Sequence, residues 1–430
     1  MTYKLSLPTA VAINLNIMLS AGIFLNSVPL AKYAGGFCFL PYLIIGGLLI
    51  PLIIAMASLL NHHENGTFYQ IGKQEIGSFF GFLSSWTYFI AKPASAAVMI
   101  HFFNDLMIQL FPLLQSISIY TLDLVVITLF TILNLLNMKI GRSIQFSFIF
   151  IKLIPLLFII IAGLWFIQPT NFSAIHLNLN GIPLGLPLAL FACSGFEATL
   201  SLASHIENSK RNASRAIIIS YLIAITIYVL YQFGYYAAIN INKLATIASF
   251  NGIAFFLKSI YSQTHSHLQA LLYICIGISS LGGAYGILFS NNWNLHTLAQ
   301  HHHTFFSKNL IKKNSAGIAY WCLFIEVLIC FSYIFFTHAN QIMLQQISVF
   351  GSTIAYTISI SAFAVLAFKK IKKYWAYLIA FLALINCFIF LASCINGFFN
   401  HGPQALYAFT TILLFGSLMY GSTKIFLKNK

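Results

Sequence analysis

Acidic residues are nearly absent from this chain. Its 430 residues include seven Asp and Glu against 22 Lys and Arg, and the four types together make up only 7%. A soluble domain carries about 25% charge to cover its surface. The shortage therefore excludes a water-soluble enzyme, a disordered chain and a secreted scaffold together. Cysteines are few and scattered. The seven, from Cys38 to Cys394, lie in or beside apolar runs and form no C-x-x-C pair. Neither a zinc site nor a disulfide framework is indicated, and their reading is small apolar packing. A G-x-x-x-x-G-K-[ST] loop is also missing, which excludes an ATP-driven pump on this chain.

What is present is apolar: 59% of the residues, with a mean hydropathy of +0.86. Runs of about 20 apolar residues mark helices that cross a bilayer. The sequence predicts an all-α polytopic membrane protein with twelve spans, near 8–31, 37–60, 79–106, 120–138, 143–167, 182–204, 214–239, 267–290, 317–337, 344–368, 374–396 and 403–424. Longer loops are expected near 61–78, 240–266 and 291–316. The whole of 1–430 reads as one transmembrane domain. The first run is too long for a signal peptide and is kept as a mature helix.

The net charge of +15 suggests nucleic acid only until the charges are located. Alternate loops carry seventeen of the 22 basic residues, in clusters such as Lys210-Arg211-Arg215, Lys312-Lys313 and Lys369 to Lys373. The opposite loops carry Lys32, Lys243 and Lys258, and Lys92 and Lys152 fall inside spans. By the positive-inside rule both termini are cytoplasmic.

Two spans are unsuited to a continuous helix. The first holds Asn16, the run Ser20-Ala21-Gly22-Ile23-Phe24, and Pro29. The sixth holds Gly181, Pro183, Gly185 and Pro187 near its start and Cys193-Ser194-Gly195 at its middle. Unwound backbone at mid-membrane is tolerated where it lines a cavity. The two breaks sit at corresponding places in two five-span units, near 8–167 and 182–368, with spans near 374–424 appended. Five is odd, so the second unit enters from the opposite side. This is the inverted-repeat arrangement of secondary transporters. The half-helix N-termini offer free N–H groups and partial positive charge to a carboxylate.

Four stretches resemble the amino acid–polyamine–organocation permease superfamily. They are Ser20-Ala21-Gly22-Ile23-Phe24; Glu64-Asn65-Gly66-Thr67-Phe68-Tyr69 with Gly81-Phe82-Leu83-Ser84-Ser85-Trp86; Lys152-Leu153-Ile154-Pro155; and Phe191 to Glu197 followed by Asn208 to Ile217. The last is similar to the family's F-x-x-x-G-F-E and N-P-x-R-x-x-P-R-A-I. The chain departs from the family pattern at Ser20, Ser209 and Ser214. His205 stands where the family often has Glu, and Trp293 where an Arg follows the eighth helix. The resemblance implies a LeuT-type five-plus-five fold with broken helices 1 and 6. It implies that the amides of Ser20, Ala21 and Gly22 bind an amino-acid carboxylate, with Ser194 and Gly195 on the facing break. Carbonyls near Met18, Phe191 and Ser194 would accept from the ammonium. Phe191 matches an aromatic gate, and Tyr88 an aromatic lining the site.

Lys152 lies in the run FIFIKLIPLLFIIIAG, where an ammonium is costly unless paired or deprotonated. By resemblance its position is that of a sodium ion in sodium-coupled relatives, which makes its proton a candidate driving ion, with Ser279 and Ser280 as neighbours. A Lys snorkelling to the interface is the alternative. Glu197 is the second coupling candidate, or else an organiser of the unwound turn. Lys92 is a second buried cation without an assignable partner, and Glu326 reads as facing a neighbouring helix. His301-His302-His303 and His62-His63 read as solvated loops rather than metal ligands.

These readings give a secondary transporter for amino acids, coupled to protons, in the plasma (inner) membrane. It has no enzymatic activity, cofactor or metal, and its partners are an amino acid, protons and the lipid bilayer, with no nucleic acid. An amino-acid or polyamine exchanger and a non-transporting receptor of the same fold are the alternatives. Small neutral residues at 20, 21 and 194 favour a neutral amino acid, and a charged one stays open. The orientation is testable by single-cysteine labelling. Labels replacing Ile311 and Ile371 are expected to react only from the cytoplasmic side, and one replacing His401 only from outside. External reaction at 371 would contradict the span count.

Overall fold

The computed structural model describes residues 4–63, 66–136, 138–173, 178–261 and 266–428. The described chain is helical, and its β pairing is an isolated parallel bridge between Leu5 and Ile206. The first half holds α1 (Leu7–Met18), α2 (Ala21–Ala34), α3 (Leu40–His62), α4 (Phe68–Glu75), α5 (Ser78–Leu110), α6 (Ile119–Asn134), α7 (Met138–Trp165), α8 (Ile182–Cys193) and α9 (Ala198–Leu202). The second holds α10 (Ser209–Ala238), α11 (Gly252–Ile260), α12 (Ser266–Gln300), α13 (Ser307–Leu310), α14 (Tyr320–Phe336), α15 (Gln341–Leu366), α16 (Tyr374–His401) and α17 (Pro403–Lys428).

Local signals account for many of these ends. Pro sits in the first turn of α1, α3 and α8, where its missing N–H costs nothing. Thr67 and Gln70 close a reciprocal capping box on α4, and Asn340 accepts the Met343 amide at 3.1 Å at the start of α15.

Among the described residues nine helices are long and apolar enough to cross a membrane, with α1–α2 and α8–α9 each counted as one. The chain is a multi-pass membrane protein. Three predicted spans fall on helices outside that set: α5, which is 33 residues long, and α6 and α14, at 16 and 17 residues. Bulky apolar side chains such as Leu129, Phe150, Ile161, Phe388 and Leu418 point outward, which water would penalise and lipid does not.

The predicted loop at 291–316 is corrected at its start. Helix α12 continues to Gln300, so Asn291, Trp293, Asn294 and His296 are helical and buried. Their polarity mimics a loop because it is spent inside the protein. Asn291 donates to the Phe89 carbonyl and to Glu326 Oε1, both at 3.0 Å, and Asn294 donates to Ser201 at 2.8 Å.

The packing centres on α5 and α12, which make the most extensive helix pairing, followed by α5 with α15. A small-residue face of α12 receives the first interrupted helix. A Cβ on Gly283 would fall 2.5 Å from Ser20 Cβ, and one on Gly286 would fall 2.8 Å from Ile17 Cγ1. Small residues at a membrane-helix interface permit such backbone approach.

At the end of the bundle that carries the N-terminus, Leu5 donates to the His205 carbonyl at 2.8 Å and accepts from the Glu207 amide at 2.9 Å. The His205 and Trp293 rings lie 4.1 Å apart, and the Lys313 ammonium sits over Trp293 at 5.0 Å. The two departures from the family pattern are thus in contact.

The histidine runs are not simply solvated. His63 Nε2 lies 2.9 Å from the buried Glu75, which also pairs with Lys370 at 2.8 Å. His303 Nε2 lies 2.7 Å from the Tyr69 hydroxyl, and the His301 ring stacks on Tyr69 at 4.4 Å. Both sets were read as loop because their partners lie on other segments.

Burial, with the positive charges of His301, Lys73 and Lys424, pushes His303 down from 6.5 to about 4. The folded state therefore holds it neutral. The stabilisation this gives is full above 6.5 and is lost as pH falls from there toward 4. The melting temperature of the purified protein is expected to fall over that window, and His303→Gln is expected to flatten the fall. An unchanged slope in the variant would contradict this assignment.

Candidate functional site

The first interrupted helix breaks at Leu19–Ser20, on the Ser-Ala-Gly run. Ser20 leaves the helical conformation (φ −119°, ψ −144°), and its hydroxyl turns back to the Ile17 carbonyl at 2.7 Å. The Ser20 amide bonds the Met18 carbonyl at 2.8 Å, so the amides left without a hydrogen-bond partner among the described residues at the start of α2 are those of Ala21 and Gly22. Two carbonyls near the end of α1 are claimed by other helices. Lys152 Nζ donates to Asn16 O at 2.7 Å, and Ser279 Oγ donates to Leu19 O at 3.1 Å. The α2 N-terminus, Ala21 and Gly22, receives no side-chain cap from Ser20.

The second break runs over Ser194–Glu197, between α8 and α9. Gly195 takes φ +127°, a conformation that disfavours a side chain. A Cβ there would also fall 2.7 Å from Ile17 Cγ2 and 3.1 Å from Met18 Cγ. Ser194 Oγ caps the Phe191 carbonyl at 2.8 Å, and Tyr228 donates to the Ala192 carbonyl at 2.6 Å. Glu197 folds back so that its Oε2 accepts the Gly195 amide at 2.6 Å.

The breaks meet. A Cβ on Gly22 would stand 3.1 Å from Ala192 Cα and 3.3 Å from the Phe191 ring. Met18, Ser20, Ala21, Gly22, Phe191, Ser194 and Gly195 therefore form one buried cluster at the junction of four half-helices. Above it, Asn26 donates to the Leu188 carbonyl at 2.8 Å and ties α2 to α8. A cavity of about 300 Å³ lies beyond, lined by Pro29, Lys32, Pro187, Gln341 and Gln346 among others. It lies at the far end of α2 from the Leu5–Ile206 bridge, and none of its lining residues belongs to the cluster.

The remaining candidates divide. Tyr88 on α5 joins the second break: its hydroxyl donates to Glu197 Oε1 at 3.2 Å, and its ring packs on Phe68 at 4.5 Å. Lys152 is fully buried on α7 and bound to α1. Of its two expected neighbours, Ser279 bonds Leu19, whereas Ser280 turns to the Met99 carbonyl at 2.7 Å. Glu64 and Asn65, part of one family-like stretch, lie outside the described residues.

Lys92 has a partner that sequence reasoning did not assign. Its Nζ lies 2.6 Å from Glu197 Oε1, both side chains being buried. The available signal was two lone, opposite charges in apolar runs, each too costly to bury alone. The docking face on α12 was also missed, although Gly282-Gly283 and Gly286 recur at helical spacing.

The serine/threonine exchanger SteT of Bacillus subtilis is 24% identical to this chain over 254 residues, which are 57% of each protein. The D-serine/D-alanine/glycine transporter of Escherichia coli K12 is 26% identical over 216 residues, 46% of this chain and 45% of that protein. The chain thus spans about half the length of the curated relatives it matches. The profile described as amino acid permease matches residues 5–421. That stretch contains both interrupted helices and the helices that pin them, and the chain belongs to the amino acid permease family.

Proposed function

We propose that this chain is a secondary transporter that moves amino acids across the plasma (inner) membrane and couples the movement to protons. The observation that carries the reading is the meeting of the two breaks, which leaves the start of α2, Ala21 and Gly22, beside Phe191 and Ala192. An amino-acid carboxylate suits those amides and the positive end of α2. The substrates in the relatives' names, serine and threonine for one and D-serine, D-alanine and glycine for the other, agree with a site built of Ser20, Ala21, Gly22 and Ser194. In this reading α5, α6 and α14 complete twelve spans, arranged as two inverted five-span units with helices 11 and 12 appended. The termini are cytoplasmic, and the 300 Å³ cavity is the outer approach to the site. The exchanger name of one relative supports a second reading, obligatory exchange, in which uptake requires substrate on both sides.

Gly22→Leu tests the site. The new side chain would fill the space against Ala192 and Phe191, so amino-acid binding is expected to be lost while membrane insertion and folding persist. Affinity equal to that of the natural protein would contradict the placement.

Lys152 is the coupling residue in this reading. Its ammonium holds an α1 carbonyl near the negative end of that half-helix, so loss of its charge weakens that hold and biases the break. Lys152→Ala is expected to retain substrate binding and to lose accumulation driven by a pH gradient in proteoliposomes. Accumulation that persists would move the role to Glu197.

A further inference from the structure

The charge at the second break is compensated from within the protein. Glu197 Oε2 holds the Gly195 amide at 2.6 Å, while its Oε1 faces Lys92 at 2.6 Å and accepts from Tyr88 at 3.2 Å. The two charged side chains are 0% and 2% exposed. Tyr356 of α15 also faces the carboxylate, and the further charge that acts on Tyr88 is that of Glu326 of α14. Lys92 is thus the cation that faces Glu197, from a different helix.

Lys92 differs from Lys152 in what it does with its protons. Lys152 donates to a helix-end carbonyl. The contact of Lys92 with Glu197 lacks hydrogen-bond alignment, and its Nζ makes no hydrogen bond among the described residues. Its ring contact is the Tyr88 face, 5.2 Å away. Its contribution is its charge. A buried carboxylate one hydrogen bond from the site backbone would otherwise attract the cationic group of a ligand, because an uncompensated buried charge is costly.

We propose that Lys92 sets the charge class of the substrate. It neutralises Glu197, so that the site accepts amino acids with uncharged side chains and excludes those with cationic ones. It is also a positioning residue, since it holds the Glu197 carboxylate that seats the Gly195 amide. The inference rests on the amino-acid transport reading and adds to it the identity of the selecting residue.

The test measures equilibrium binding of L-lysine and of the twenty amino acids' best uncharged binder, L-serine first, to the purified full chain. The natural protein is expected to bind the uncharged amino acid and not L-lysine. Lys92→Met leaves the carboxylate uncompensated. It is expected to lose about tenfold or more in affinity for the uncharged amino acid and to gain L-lysine binding. Lys92→Met/Glu197→Gln has no buried charge at the break. It is expected to recover at least part of the affinity for the uncharged amino acid that Lys92→Met loses, still without L-lysine. That double variant carries the test if Lys92→Met does not fold. Lys92→Met with unchanged affinity and selectivity, a natural protein that binds L-lysine, or a double variant that does so would each overturn the proposal. A natural protein that binds none of the twenty would instead overturn the transport reading.

Discussion

Backbone that leaves a helix inside a membrane has no water to satisfy it, so its donors and acceptors must find partners in the protein. Much of this structure supplies those partners. At the first break Lys152 takes Asn16 O, Ser279 takes Leu19 O, and Ser20 turns back on Ile17 O. At the second, Ser194 and Tyr228 take carbonyls, and Glu197 takes the Gly195 amide. Three of these partners, Lys152, Ser279 and Tyr228, come from helices whose placement is fixed elsewhere: α12 by its long packing on α5, and α7 and α10 by theirs on each other.

That supply is asymmetric. Carbonyls near the end of α1 are claimed by other helices, whereas Ala21 and Gly22 begin α2 without a side-chain cap from Ser20. In the proposed function this asymmetry makes the site: the protein satisfies its own acceptors and leaves donors for a carboxylate. Two buried lysines serve different ends in that account. Lys152 belongs to the first break and answers to a backbone dipole, whereas Lys92 belongs to the second and answers to a carboxylate. A third lysine, Lys370, reaches its carboxylate from an exposed setting: its side chain is 58% exposed, while that of the Glu75 it pairs with is 2% exposed.

The membrane class and the family could be read from the sequence, because both depend on local features. Apolar runs set the helices, and Ser20 to Phe24 and Phe191 to Glu197 are contiguous motifs. The interruptions at Leu19–Ser20 and Ser194–Glu197 fall on runs of small residues, where unwinding is cheap. Long-range pairing was not legible. Nothing local to Lys92 names Glu197 as its partner, and nothing in Asn291 or Asn294 distinguishes a loop residue from a buried one that donates to Glu326 or Ser201. The same holds for His303, whose partner Tyr69 lies on α4. A polar residue in an apolar chain announces a cost, and only the fold shows where that cost is met.

The central claim is that the donors left free at the start of α2 receive a substrate carboxylate where the two breaks meet. The most direct measurement is an experimental structure of the protein with its bound amino acid. The account predicts carboxylate oxygens within hydrogen-bond distance, about 2.7–3.2 Å, of the Ala21 and Gly22 amides, with Phe191 displaced to cover the ligand. An amino acid bound instead in the cavity between Pro29, Pro187 and Gln341, with Gly22 still closed against Ala192, would contradict it.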